Sequence, residues 1–309
     1  MDLSLPGTPA DPFDGLSPAS SDWLADTRAP ITGIDSHAHI FVRGLPLAAQ
    51  RRHAPDYDAT LDQYIERLSA HGMSQGVLVQ PSFLGFDNTF LASVCARYPQ
   101  RFRGVAVVAP EISDAELAAL NAAHIVGARL NLIGLPLPDF SERRWQALLA
   151  RLNALRWHVE VQANAADLPV VLDALLAQGC TVVVDHFGRP DAQLGARDAG
   201  FRDLLSHAAS GKVWVKLSAA YRSAQETDGT ENANALADAL LAAYGPQRLV
   251  WGSDWPHTQH RHRIDYDGAV NALHAWVRDD AARQTILTTS AAELFRFEVQ
   301  TASAASSVG

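Results

Sequence analysis

Short apolar runs recur along the chain, and each is followed by a stretch where apolar residues return every three or four positions. Runs at 31–34, 76–80, 103–108, 125–132, 159–162, 181–184, 213–217 and 249–251 are rich in Val, Ile, Leu and Thr, the composition of buried strands. The intervening segments 60–71, 88–98, 113–123, 141–155, 165–178, 197–209, 233–244, 267–278 and 290–295 read as helices. In the first of these, Leu61, Tyr64, Ile65 and Leu68 share one helical face and Gly72 is a plausible stop. Strands that are apolar throughout, alternating with amphipathic helices, predict a parallel sheet covered by helices. Eight such units over about 270 residues predict a closed (β/α)8 TIM barrel of the α/β class. No Gly-x-Gly-x-x-Gly follows the first strand, so no dinucleotide site is indicated.

The ends differ from the middle. Residues 1–30 are rich in Pro, Asp, Ser and Gly and predict an irregular arm, with Trp23 and Leu24 available to pin it to the body. The barrel is expected over 31–297, and 298–309, small and polar, as a flexible tail. With 48% hydrophobic residues in 309, the chain can bury a full core. A formal charge of −9 argues against nucleic acid or an anionic membrane as partner. Two cysteines, Cys95 and Cys180, are too few for a disulfide scaffold and point to a reducing compartment. The first residues lack a basic stretch followed by an apolar one, and no apolar run approaches the roughly 20 residues of a membrane span. A soluble, cytoplasmic protein is expected, its oligomeric state open.

In parallel barrels the chemistry sits at the carboxyl ends of the strands. Here those ends carry His37 and His39, then Gln80 with Ser82, Arg129 and Asn131, and Glu160 and Gln162. Further on come His186 and Arg189, then Ser218, Tyr221 and Arg222, and finally Asp254 with Trp255 and His257. His-x-His alone could be two structural histidines, and Glu160 or Asn131 could simply satisfy an ion pair or backbone groups. The recurrence of titratable residues at successive strand ends favours one site.

Three motifs carry a resemblance: Gly33-Ile34-Asp35-Ser36-His37-Ala38-His39, Val184-Asp185-His186-Phe187-Gly188-Arg189-Pro190 and Trp251-Gly252-Ser253-Asp254-Trp255-Pro256. Together they resemble the amidohydrolase superfamily, in particular its branch of lactonases acting on pyrone dicarboxylates and sugar lactones. The resemblance implies a (β/α)8 fold and hydrolysis at an activated carbonyl. Opening a lactone requires a base for water and donors for the developing oxyanion. Asp254 is the candidate base; His37, His39 and His186 are left to orient and polarise the carbonyl. An N-cap or turn role is the alternative for Asp254. In the pyrone-dicarboxylate lactonases, residues like Arg129, Arg189 and Arg222 bind substrate acids, and Ser82 lies where a further donor is expected. The substrate expected is therefore a small anionic lactone. That family places another arginine soon after the position of Arg129, whereas this chain reads Leu132-Ile133-Gly134-Leu135-Pro136.

Relatives that hold one divalent ion add a histidine at the end of strand five. Here Gln162 stands there, a poor zinc ligand, and it is counted with the substrate-binding residues. No metal is favoured; a single zinc or manganese ion would fall to His37, His39 and Asp254. The competing functions are a metal-dependent decarboxylase of the same superfamily, a neutral sugar-lactone hydrolase, and a non-catalytic small-molecule binder.

Overall fold

The computed structural model describes residues 10–26, 30–223 and 229–298. Its strands are β1 (Ile34–Ala38), β2 (Gln75–Val79), β3 (Phe102–Ala106), β4 (Ile125–Asn131), β5 (His158–Gln162), β6 (Val182–Val184), β7 (Val213–Leu217) and β8 (Leu249–Trp251). They pair in sequence order, all parallel. The ring closes where Ala38 bridges Trp255: His39 N donates to Trp255 O at 2.8 Å, and Asp254 N to His37 O at 2.8 Å. Helices cover the outside, so each strand is buried on both faces, which is why the runs are apolar throughout rather than alternating. The predicted TIM barrel is borne out.

The arm departs from expectation. Pro18–Ala25 is a helix, not irregular chain: Ser17 accepts from Ser20 N as N-cap and Pro18 occupies the first turn, where its missing N–H costs nothing. Leu24 is buried, and Arg101 donates to the carbonyls of Trp23 and Asp26, both at 2.6 Å, so the pinning assigned to Trp23 and Leu24 is real. The rest of the predicted arm at 1–9 and 27–29, and the predicted tail at 299–309, lie outside the described residues. A helix at Asp280–Thr285 escaped the pattern because it buries no apolar face; one wide turn at Ile286–Ser290 joins it to Ala291–Phe295.

The barrel interior has two layers. Toward the amino ends, Ile34, Val77, Val105, Val126, Val183, Trp214 and Val250 pack together, sealed by Ala291, Leu294, Phe295 and Phe297. Each such side chain contributes about 1.5–3 kcal/mol on burial. Toward the carboxyl ends, the inward positions turn ionic: Arg129, Glu160, Asp185 and Lys216 are all buried. In β1 the register slips between Asp35 and Ala38. That irregularity lets Asp35 bond outward to Ser253 and Tyr266 while His37, two residues on, reaches inward. Gly252 makes room for this: a Cβ there would stand 2.4 Å from that of His37.

Candidate active site

Lys216, near the carboxyl end of β7, forms the floor of the site. Its ammonium is bonded to Glu160 and lies 3.0 Å from His37 Nδ1 and 3.3 Å from Asp185 Oδ1. Arg129 completes the cluster, with Nη2 2.8 Å and Nε 3.0 Å from Asp185 Oδ2, and Nε 3.2 Å from Glu160 Oε1. Two cations thus face two carboxylates, the condition under which buried charges are tolerated. Burial would lift the Asp185 carboxyl, but Lys216 and Arg129 hold it well below the carboxylate range. Glu160 moves the other way, raised by burial and then by the charge of Asp185.

Above this floor the three histidines converge on Asp254. The distances from Asp254 Oδ1 to the Nε2 atoms of His37, His39 and His186 are 3.7, 3.9 and 3.9 Å. These are too long for direct hydrogen bonds. Asp254 Oδ1 and the Nε2 atoms of His37 and His186 are buried without a hydrogen-bond partner. The other carboxylate oxygen is fully engaged: Arg222 donates from Nε at 2.9 Å and Nη2 at 2.7 Å, and the Tyr221 hydroxyl donates to it as well. Oδ2 therefore anchors the carboxylate and Oδ1 is left for chemistry. Asp254 itself sits at φ +60°, and His186, Phe187, Arg189 and Ala219 also have positive φ. Backbone strain thus gathers at the carboxyl ends of β6 to β8, as at other functional sites.

The ring partners specify tautomers. A lysine ammonium only donates, so the His37 Nδ1 it faces is the bare nitrogen and the proton is on Nε2. Asp185 Oδ1 at 3.4 Å from the same nitrogen would favour the reverse, but the ammonium is nearer and decides. His39 is the opposite case: Nδ1 lies 2.7 Å from the Val79 carbonyl, which only accepts, so Nε2 is bare. His186 Nδ1 lies 2.8 Å from Ser218 Oγ, which admits either. All three rings are neutral at pH 7. Burial pushes His39 down to about 4 and His186 to about 3; burial, with Lys216 beside it, lowers His37. Burial would raise Asp254, yet Arg222 and the three surrounding imidazoles together outweigh it and keep the carboxylate ionised.

A cavity of about 60 Å³ opens above this point, lined by His39, Arg52, Ser82, Arg129, Gln162, Arg222 and Asp254. Five of the residues expected to bind substrate or do chemistry thus share one wall with Asp254. Arg189 stands nearby without lining it; burial and then repulsion from Arg222 and Arg52 bring it down to about 10, and its Nε is buried without a partner. Two of the expected substrate-binding arginines are already engaged, Arg129 by Asp185 and Glu160, Arg222 by Asp254. Among the described residues, Arg52 and Arg189 form no ion pair within the protein.

Other candidates take supporting roles. Gln80 donates to the carbonyls of Gly85 and Asp87 and so shapes a loop. Trp255 stacks on Tyr64 outside the site, and His257 Nδ1 lies 3.4 Å from the Tyr221 hydroxyl. Sequence reasoning missed Lys216, Asp185 and Arg52. The signal for Lys216 was present: a lone charge inside Val-Trp-Val-Lys-Leu, two residues after an inward Trp214. Arg52 lies on a loop and had no such signal.

A family profile described as amidohydrolase matches residues 34–297. The chain belongs to the amidohydrolase family. Among its relatives is a 2-pyrone-4,6-dicarboxylate hydrolase of Comamonas testosteroni, 32% identical over 271 residues, covering 82% of this chain and 88% of the relative. A Pseudomonas putida structure described as a 2-pyrone-4,6-dicarboxylic acid hydrolase is 45% identical, with TM-score 0.83 over 88% of this chain and 100% of that one. An Acinetobacter baumannii structure described in the same terms, with citric acid bound, is 38% identical, with TM-score 0.83 over 86% of this chain and 100% of that one. The amidohydrolase resemblance read from the three motifs is borne out, down to its pyrone-dicarboxylate branch.

His37, His39 and Asp254 each offer one ligand atom within 4.8 Å of the others, and so could hold a metal ion. A second group, His37, Glu160 and Asp185, meets the same criterion, but there the cation is the Lys216 ammonium. No described helix is long and apolar enough to cross a membrane.

Proposed function

We propose that this amidohydrolase opens a small anionic lactone by adding water to the ring carbonyl. The observation that carries this reading is the open oxygen of Asp254, held ionised and facing three neutral imidazoles beside an arginine-lined cavity. Water held there would give one proton to Asp254 Oδ1 as its oxygen attacks the carbonyl carbon. His39, whose bare Nε2 accepts, orients that water; this departs from the carbonyl-polarising role expected of it, because its proton is committed to Val79. His37 Nε2–H is the donor to the carbonyl oxygen as it becomes an oxyanion, and His186 completes the enclosure. The ring C–O bond then breaks, the leaving oxygen takes up the proton, and the product is the hydroxy acid or its keto form. Arg52 and Arg189 are the guanidiniums with capacity to receive a substrate carboxylate, as a planar fork does bidentately. Arg129 and Arg222 add positive potential at the wall while serving protein carboxylates.

His37, His39 and Asp254 fit an ion poorly, and we read the reaction as metal-independent. A histidine ligand needs a bare nitrogen on the metal and a proton on the other, usually donated to an acceptor. His37 presents the reverse, with a donor, Lys216, at its far nitrogen. Near-stoichiometric zinc in the purified protein with turnover lost on chelation would contradict this.

The test of the main reading is a hydrolysis screen of acidic and neutral lactones followed by ultraviolet absorbance and acid release. Acidic lactones should open without release of carbon dioxide. Faster turnover of neutral sugar lactones, or carbon dioxide as product, would overturn it.

A further inference from the structure

A second cavity, about 980 Å³, adjoins the small one and shares Arg52, Ser82 and Arg129 with it. We infer that it is a subsite for an apolar arm, so that the substrate is an acidic lactone bearing an alkyl or aryl extension rather than a second acid. This rests on the lactonase reading above and names its substrate class.

Three observations converge. Much of the lining is apolar, with Leu84, Phe86, Val108, Leu132, Ile133 and Trp145 in it, while the charged Arg51 and Asp87 that also line it are exposed to solvent. Only five large apolar side chains among the described residues are substantially exposed, and three of them, Leu47, Phe86 and Leu135, at 41%, 64% and 59%, belong to this one cleft. Exposed apolar groups gathered in one place mark a binding surface, whereas scattered ones need no explanation. Third, Arg52, which forms no ion pair, lines both cavities, with the engaged Arg129 beside it adding positive potential. A carboxylate held there, with the lactone carbonyl at Asp254, leaves the rest of the molecule directed into the larger space. A small dicarboxylate would leave most of 980 Å³ in contact with nothing but water.

The experiment uses the full-length protein and 2-pyrones that carry one carboxylate and a methyl, propyl, pentyl or phenyl group, alongside the dicarboxylate without an arm. The expected result is a three- to fourfold rise in kcat/KM per methylene over the first few, equivalent to about 0.8 kcal/mol for each buried CH2. Leu135→Glu should flatten that dependence, and Phe86→Glu is the second variant should the first fold poorly. A flat or falling dependence, with the dicarboxylate or methyl compound turned over well, would overturn the subsite and leave the lactonase reading standing. If no lactone in the series is opened, the hydrolytic reading fails. Calorimetric binding of the same compounds then decides the cleft by itself: affinity rising with chain length supports it, and affinity indifferent to chain length overturns it.

Discussion

The two layers inside the barrel are built on the same strands and differ by a step of two residues. Val183 and Asp185 leave the β6 segment on the same side, as do Trp214 and Lys216 in β7. The lower member of each pair contributes packing; the upper one contributes charge. Period-two alternation makes this possible, since the same inward face can be apolar at one level and ionic at the next. The comparison teaches where stability and chemistry are separable. Below, the layer is made of packed apolar side chains and carries no charge of its own, so a truncation there costs stability without removing a reacting group. Above, the charges answer one another, and removing one disturbs the rest.

The largest effect should come from Asp254→Asn, which keeps size and removes the base. The kcat should fall by about 10²–10⁴, the range for a positioned general base, with the circular dichroism spectrum unchanged. Turnover near the wild-type value would take Asp254 out of the mechanism.

Next come paired substitutions, one in each layer. Lys216→Met leaves Glu160 and Asp185 without their shared ammonium and should cost about 3–5 kcal/mol in denaturant unfolding. It should also free His37 Nδ1 to take the proton, a change visible in the nitrogen shifts of ¹⁵N-labelled histidine, and lower kcat. Phe295→Ala, in the plug below, should destabilise by a similar about 3–5 kcal/mol while the folded enzyme keeps its kcat. Charge balance can be restored by combining Lys216→Met with Glu160→Gln; that should recover stability without kcat. If the plug variant lowers kcat as much as Lys216→Met does, the layers are not separable.

A smaller effect is expected beside the cavity. Arg189→Met removes a charged hydrogen bond to substrate, worth about 1.5–3 kcal/mol, and should raise KM for an acidic lactone by roughly tenfold or more with little change in kcat. An unchanged KM would mean that Arg52 alone receives the acid.

The lower layer was legible in the sequence because continuous runs such as Thr181-Val182-Val183-Val184 have few other uses than a buried strand. The histidines and Asp254 were legible because three motifs fell at matching strand ends. Less of the upper layer could be read. Whether Arg129 serves a substrate or Asp185 depends on which side chain stands opposite across strands, information that barrel closure supplies and spacing does not. Arg222 posed the same ambiguity, resolved only by its two bonds to Asp254. Lys216 was passed over because a single polar residue within a strand reads equally well as an outward position, and only the closed ring of strands turns it toward Glu160 and Asp185. The Pro18–Ala25 helix was missed since a short segment of Pro, Ser, Asp and Ala carries little apolar periodicity.

The central claim is that a carboxylate is the base while the histidines act as neutral donors and acceptors. Its most direct test is the pH dependence of kcat/KM for an acidic lactone. His39 and His186 titrate at about 4 and about 3, lowered first by burial, and Asp254 is held below the carboxylate range by Arg222 and the three imidazoles together. Neither Asp254 nor these two histidines changes protonation between about pH 5 and 8, so kcat/KM should show no histidine limb there; Glu160, raised by burial to about 7, takes a proton in that window, and any inflection it causes should survive in His186→Gln. An acid limb near pH 6.5 that disappears in His186→Gln would contradict the account, since it would make a histidine the base.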